Sequence, residues 1–499
     1  MRNYKPLQNG SDIRGTALKT ENGKEVDLKP YVCVDLALGF VAWLAARTGR
    51  NYLYLDIGRD PRVTGEELFR EVSYRTAWAG CEVHDCGLAT TPAMFMSTVF
   101  NTPNEPKADG AIMFTASHLP YDRNGMKFFT KDGGLSSEDI KQVIALAENM
   151  EEDFSINREW KWVFPRNLMK EYSQHLRSII CKGLGAEEGD KPLEGLHVAV
   201  DAGNGCGGFY VTDVLEPLGA DCSGSLFLEP DGMFPNHVPN PEDKEAMSYI
   251  SNAVKSSGAD LGIIFDTDVD RAAAVGSDGK EISRNRIVAL AAYIASKDHP
   301  GTTIVTDSIT STQLREYIED KLGCKQLRFK RGYKNVIDKG LELNKEGIDC
   351  QLAIETSGHA AMKENYFLDD GAYLATKIVI EAAKLKKEGK HIEDLIADLK
   401  DPLEAVEHRF KVKAKDFSSY AQTVLDHVEA EAKKKDGWSL ESPNFEGVRV
   451  NVPEGWFLLR KSLHDPVMPL NIESDEEGGT AKIFEEIREL LKGFDELEI

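Results

Sequence analysis

The sequence predicts an α/β protein of several domains, and three observations carry that expectation. At 499 residues the chain is too long for a single hydrophobic core and calls for three or four. Segments of strand and helix character alternate through its first three units, the pattern of α/β domains with mixed sheets. From about residue 405 the pattern changes to short alternating strands closed by a helical stripe. The boundaries expected are 1–165, 166–295, 296–402 and 403–499.

Each element has its own reason. Val32 to Ala46 is the most apolar helix-like stretch; it carries Asp35 and is short for a membrane span, so it reads as a buried helix. Tyr52 to Ile57 reads as a strand, and Thr64 to Ala79 as a helix with Thr64 as its N-cap. Ser136-Ser-Glu-Asp139 starts another helix, continued by Ile140, Val143, Ile144 and Ala147 at helical spacing. Residues 151–168 are mixed and aperiodic and read as a connection. Leu196 to Val200 is a strand that enters the glycine-rich turn Asp201 to Gly208. Such a turn can cradle a phosphate. It lacks the Lys-Ser/Thr of a P-loop, and its spacing is wrong for a dinucleotide fingerprint. Thr302 to Thr306 is a strand of the third unit, whose long last helix ends in the lysines of 384–390, a solvated terminus aided by the helix dipole. In the last unit Gly447 to Val452 and Trp456 to Leu459 are strands. Ile483, Phe484, Ile487, Leu490, Leu491 and Phe494 form the closing stripe.

Composition narrows the function classes. The net charge of −23 argues against a nucleic-acid partner, because phosphate backbones are met by basic surfaces. It leaves room for a locally positive cleft that takes an anionic substrate. The 8 cysteines include no Cys-x-x-Cys pair, which speaks against a zinc site and reads as reduced intracellular thiols. No membrane partner is expected, and the monomer or dimer state is left open.

Three loops carry the chemistry. Thr115-Ala-Ser-His118 follows the apolar run Ala111 to Phe114, and Lys127 comes ten residues after Ser117. A serine presented at a strand end beside cations suits covalent phosphate or acyl transfer. Asp266, Asp268 and Asp270 alternate just past the buried strand Leu261 to Phe265, and three carboxylates so placed can converge on one hard cation such as Mg²⁺. Arg271 follows at once, with a fork geometry suited to phosphate. Glu355-Thr-Ser-Gly-His359 offers acceptors and donors for sugar hydroxyls after Leu352 to Ile354.

In this order the segments resemble the α-D-phosphohexomutases, the phosphoglucomutase/phosphomannomutase superfamily, along nearly the whole chain. Asp12-Ile-Arg-Gly15 resembles the opening loop, with Arg14 as its phosphate-contacting arginine; Gly58 to Arg62 with Gly65, and Gly87 to Pro92, match further early segments. Ser117 falls in the phosphoserine loop, with Lys127 as the lysine that follows it. Asp231 to Pro235 with Asn240 to Glu242 match the second domain. Asp266, Asp268, Asp270 and Arg271 match the metal loop, Lys334 a substrate-side lysine, and Glu355, Ser357 and His359 the sugar-specificity loop. The first of these segments begins by residue 10, leaving no room for a targeting peptide. The expected location is cytoplasmic, or an organelle after such a peptide is removed. The chain departs from the family at the end. Its last loop normally reads Arg-x-Ser-x-Thr-Glu-Pro-x-x-Arg; here Arg460, Ser462 and Pro466 match, while Leu463, His464, Asp465 and Pro469 do not. Leu119 also stands where Asn is usual.

The resemblance implies three related mixed-sheet α/β domains and a smaller α+β C-terminal domain around a central cleft. It makes the 201–208 turn structural. It implies a phosphoserine enzyme interconverting hexose 1-phosphate and hexose 6-phosphate, of glucose or mannose, through a hexose 1,6-bisphosphate that also serves as activator. Ser117 would bind Mg²⁺ with the three aspartates, Lys127 or His118 would handle the hydroxyl proton, and Arg460 and Ser462 would hold the idle phosphate. Three rivals follow from the same residues: a hexose 1,6-bisphosphate synthase using another phosphoryl donor, a non-catalytic sugar-phosphate-binding regulator, and a metal-dependent phosphatase.

Overall fold

The strand read at Tyr52 to Ile57 becomes Leu53–Arg59, inside an eight-stranded mixed sheet of this computed structural model. The structure describes residues 2–20, 23–100, 107–157, 162–187, 189–462 and 465–499. Leu53–Arg59 pairs in parallel with Cys81–Leu88 on one side and Gly110–Phe114 on the other. Arg123–Thr130 then runs antiparallel to Gly110–Phe114, and Asp12–Thr16 antiparallel to it in turn. This order brings the loop 115–122, which joins two adjacent strands, to the sheet end where the chain leaves Gly110–Phe114. The apolar helix Pro30–Thr48 packs on the sheet through Leu36, Phe40 and Leu44, as its buried reading required. It alone among the described residues is long and apolar enough to cross a membrane, and most of it is buried in this core.

Two local expectations need correcting. Helix Gly65–Trp78 begins after Thr64, but the Thr64 side chain does not cap it; its hydroxyl accepts from Asn124 Nδ2 at 3.0 Å instead. The tertiary partner takes the oxygen that the helix end would have used. Residues 163–165 are not only a connection: Val163–Pro165 is a three-residue edge strand parallel to Cys81–Leu88, too short to show a period in sequence. The start at Ser136 is a full capping box with Asp139.

The second sheet runs Glu281–Ile282, Ala272–Gly276, Leu261–Phe265, Val198–Asp201, with only its last pair parallel. The long helices Leu168–Leu184 and Gly371–Lys387 lie against each other, and Tyr172 donates to Asp370 Oδ1 at 2.6 Å. The compact unit containing these two sheets is Met1–Ile294 with Ser357–Ile396. The other unit is Ala295–Thr356 with Ala397–Ile499. It holds the parallel strands Lys325–Phe329, Thr303–Asp307 and Cys350–Ile354. It also holds an antiparallel sheet in the order Ser439–Leu440, Val448–Val452, Gly455–Leu459, Val467–Ser474, Glu404–Val412, Leu497–Glu498. Helices Phe417–Ala432 and Gly479–Leu490 cover that sheet, giving the α+β architecture expected. The closing stripe is helical only to Leu490; Phe494 packs from the turn beyond.

One histidine away from the catalytic loops gives a pH test of this packing. Phe100 lies edge-on to His175 at 4.6 Å, and burial pushes the His175 imidazole down to about 4 from 6.5. The unfolded chain then binds this proton more readily than the folded one between those values, so His175 costs stability as pH falls through the window and costs nothing above it. Replacing His175 with Phe is expected to flatten the pH dependence of urea midpoints between pH 4 and 6.5; parallel curves for variant and wild type would refute the assignment.

Candidate active site

The serine loop is shaped by a buried arginine. Arg62 donates to four carbonyls: Ser117 at 2.5 Å, Leu119 at 2.6 Å, Pro120 at 2.6 Å and Arg123 at 2.9 Å. Its Nε bonds Asp60 Oδ2 at 3.1 Å, and both side chains are fully buried. Only a planar five-donor fork can tie so many carbonyls at once. The clamp explains why the early segment Gly58 to Arg62 matters to a loop some 55 residues on. Within the loop Ser117 adopts φ 51°, a left-handed conformation unusual for a residue with a Cβ. Its Oγ lies 2.9 Å from Asp266 Oδ2, 3.2 Å from His118 Nδ1 and 3.0 Å from Arg271 Nη2.

The carboxylate loop is held with equal care. Val269 sits at φ 67°, where a β-branched residue is strained. The strain persists because neighbours fix the loop on each side. Thr91 bonds Asp268 through both hydroxyl (2.5 Å) and backbone N–H (2.9 Å). Gly371 N–H donates to Val269 O at 3.1 Å. The turn Asp201 to Gly208 packs beneath it, Cys206 N–H donating to Thr267 O at 2.8 Å. A Cβ on Gly205 would stand 2.7 Å from that same oxygen, so the glycines serve close approach.

Asp266, Asp268 and Asp270 present oxygens within 4.8 Å of one another, all buried. Lys127 bonds Asp270 Oδ2 and lies 3.2 Å from Asp268 Oδ2; Arg271 Nε lies 3.1 Å from Asp266 Oδ2. Burial drives the Asp266 carboxyl far up, aided by its two neighbours. Burial acts on Asp270 too, but Lys127 above all, then His359 and Arg271, overcome it and hold Asp270 well below the usual range. The three carboxylates are packed together, and Asp268 Oδ1 and Asp270 Oδ1 are buried without a hydrogen-bond partner. A divalent cation would meet both the charge and the orphaned oxygens.

His118 and His359 are opposites. Burial first, then Arg271 and Arg14, push His118 down to about 2. Arg271 donates to its Nδ1, which fixes the ring proton on Nε2. Burial also opposes charge on His359, but Asp369 and Asp270 outweigh it and push it up to about 9; its Nδ1 lies 2.7 Å from Asp369 Oδ2. Ser357 Oγ is buried without a hydrogen-bond partner in the same unit. Arg14, paired with Asp12 at 3.0 Å, also belongs to it.

The remaining candidates fall in the second unit. Glu355 Oε1 accepts from Gly332 N–H at 2.6 Å, and Gly332 has φ 109°, a conformation reserved for glycine. Lys334, in the first turn of helix Tyr333–Lys345, pairs with Asp338 at 2.5 Å. Arg460 is 6% exposed, with its Nε unpartnered. Ser462 N–H donates to Val467 O at 2.9 Å. Leu463 and His464 lie outside the described residues. Sequence reasoning passed over Arg62, Thr91 and Asp369, although the first two lie in segments quoted for the resemblance.

A strained serine facing a buried acidic triad and flanked by fixed cations defines a phosphoryl-transfer protein of α/β build. Three profiles match the chain: phosphoglucomutase/phosphomannomutase, alpha/beta/alpha domain I over residues 5–153, domain II over 170–279 and domain III over 283–402. A phosphomannomutase/phosphoglucomutase of Pseudomonas syringae pv. tomato is 30% identical over 473 residues, covering 95% of this chain and 92% of its own. The protein of the same name from Pseudomonas aeruginosa is 29% identical over 492 residues, covering 97% and 98%. A crystal structure of a phosphoglucomutase/phosphomannomutase family protein from Burkholderia thailandensis superposes with a TM-score of 0.79 at 25% identity, over 98% of each chain. The chain belongs to the phosphoglucomutase/phosphomannomutase family.

Proposed function

We propose that this isomerase interconverts hexose 1-phosphate and hexose 6-phosphate, with glucose and mannose as its sugars. The observation that carries the reading is Ser117 Oγ set between Asp266 and Arg271. In the active form Ser117 carries a phosphoryl group. A sugar hydroxyl attacks that phosphorus; the new P–O bond forms as the P–Oγ bond breaks, and the hydroxyl proton leaves the sugar while Oγ regains one. The product, a hexose 1,6-bisphosphate, reorients and returns its other phosphoryl group to Ser117. Supplied from outside, the same bisphosphate activates the enzyme by phosphorylating Ser117.

The residues divide this work by charge. Arg271 reaches Ser117 Oγ directly and stabilises the transferring group. Lys127, paired with Asp268 and Asp270, supplies charge to the same loop. His118, neutral with its ring proton on Nε2 and turned from Arg271, offers that N–H as a hydrogen-bond donor. Asp266, Asp268 and Asp270, with an oxygen at Ser117, would hold Mg²⁺, whose chemistry when bound is to offset charge on the phosphoryl oxygens. His359, Ser357 and Glu355 would bond ring hydroxyls, Lys334 would lie on the substrate side, and Arg14, Arg460 and Ser462 would bind phosphate.

³¹P NMR of the Mg²⁺-loaded protein with glucose 1-phosphate or mannose 1-phosphate, primed with hexose bisphosphate, tests the reading. A 6-phosphate signal without free phosphate is expected. Free phosphate would make it a phosphatase, and bisphosphate accumulating only once a second phosphoryl donor is added would make it a synthase.

A further inference from the structure

The geometry points to Arg409 as the second guanidinium of the phosphate-holding site, acting from across the sheet with Arg460; this rests on the mutase reading. Arg460 N–H donates to Pro469 O at 3.1 Å, and Pro469 stands directly opposite Arg409 in the antiparallel pair of Val467–Ser474 with Glu404–Val412. Residues opposite one another share a sheet face. Arg460, Pro469 and Arg409 therefore form one row across three strands, with Pro469, which has no charge, in the middle. The outer two backbones are about 10 Å apart, twice the strand spacing. Two arginine side chains can meet over that gap on an anion above Pro469.

The surroundings fit this use. The neighbouring row, Leu459 with Leu470, is buried in the core beneath the sheet, so the arginine row belongs to the opposite face. Arg460 is nine-tenths buried, and its Nε has no partner. Arg409 is half-exposed, and its partner is Glu407 at 3.1 Å, two residues away on its own strand. Exposed pairs of this kind are weak and exchangeable. Glu407 also accepts from Asn471 Nδ2 at 3.0 Å, so it keeps a partner when Arg409 turns away. Arg409 can trade a carboxylate for a phosphate dianion without leaving any group buried and unpaired, whereas the fixed Arg460 supplies the desolvated contact. Lys411, two residues on and opposite Val467, extends the same cationic edge.

Equilibrium binding of glucose 6-phosphate to wild type, Arg409→Leu and Arg409→Lys, by calorimetry, tests the assignment. Loss of one charge-assisted hydrogen-bonded contact should weaken Kd about tenfold or more in Arg409→Leu. Arg409→Lys should fall between, and Pro469→Arg in the Arg409→Leu background should restore affinity. Equal affinity of wild type and Arg409→Leu would overturn the assignment, whatever the enzyme catalyses. Labelling of Ser117 by glucose 1,6-bisphosphate is read separately: binding without labelling would sink the mutase reading and leave the Arg409 comparison standing. Absence of binding by the wild type would overturn both.

Discussion

Replacing Ser117 with alanine is expected to lower kcat by about 10⁴-fold or more, the scale of removing a covalent nucleophile. The protein should remain folded, because the loop is tied by its carbonyls to Arg62 rather than by the Ser117 Oγ contacts to Asp266 and Arg271. Phosphate transfer from hexose bisphosphate to the protein should vanish with the same substitution, as read by intact mass. Ser117→Ala with a tenth of wild-type turnover would rule out the covalent route. Ser117→Cys is a useful companion, since it keeps a nucleophile in the strained position and changes only the atom.

Arg62→Met is expected to be the most damaging substitution away from the reacting atoms. It uncovers four carbonyls and strands Asp60, whose carboxyl burial already pushes upward against the pull of Arg62. Breaking a buried pair by removing one partner costs about 3–5 kcal/mol. Urea midpoints should fall accordingly, and residual folded enzyme should lose turnover because the serine loop loses its shape. Arg62→Lys should rescue little: an ammonium is a point charge and cannot serve four carbonyls and a carboxylate together. A lysine variant with wild-type stability would show that charge alone, not the fork, shapes the loop.

The legible parts of the site are those whose partners are close in sequence. Asp266, Asp268, Asp270 and Arg271 could be read from one hexapeptide because the residues that share the site are also chain neighbours. Ser117 was legible for the same reason, through the short motif around it. Arg62 was quoted but given no role, since its four carbonyls lie more than fifty residues away and carbonyls carry no sequence signal. Arg409 was hidden by register: nothing in the string sets it opposite Pro469, 60 positions on, until the strands pair. The edge strand Val163–Pro165 was missed for want of length, and Thr64 was misassigned because local capping competed with Asn124 and lost. In the first unit Ser117 Oγ lies 2.9 Å from Asp266, and His359 Nδ1 lies 3.7 Å from Asp270. What tertiary structure added was the scaffolding that holds them.

The interleaving of the two units along the chain has a consequence for biosynthesis. Helix Gly371–Lys387 supplies buried Tyr373, Leu374 and Ile378 to a unit that otherwise ends at Ile294. Tyr210 and Tyr172 each wait for a partner on or just before it, Thr376 and Asp370. On a ribosome adding roughly 5–20 residues per second, the second sheet emerges several seconds before the helix that covers it. During that interval the sheet has helix Lys244–Ser257 against it but lacks Gly371–Lys387, and the strained loop at Val269 lacks the Gly371 N–H that helps to hold it. The nascent chain is therefore most exposed to proteases and holdase chaperones while residues 295–370 are being made, and a stalled or truncated product from that window would carry Ser117 and all three aspartates without a settled site.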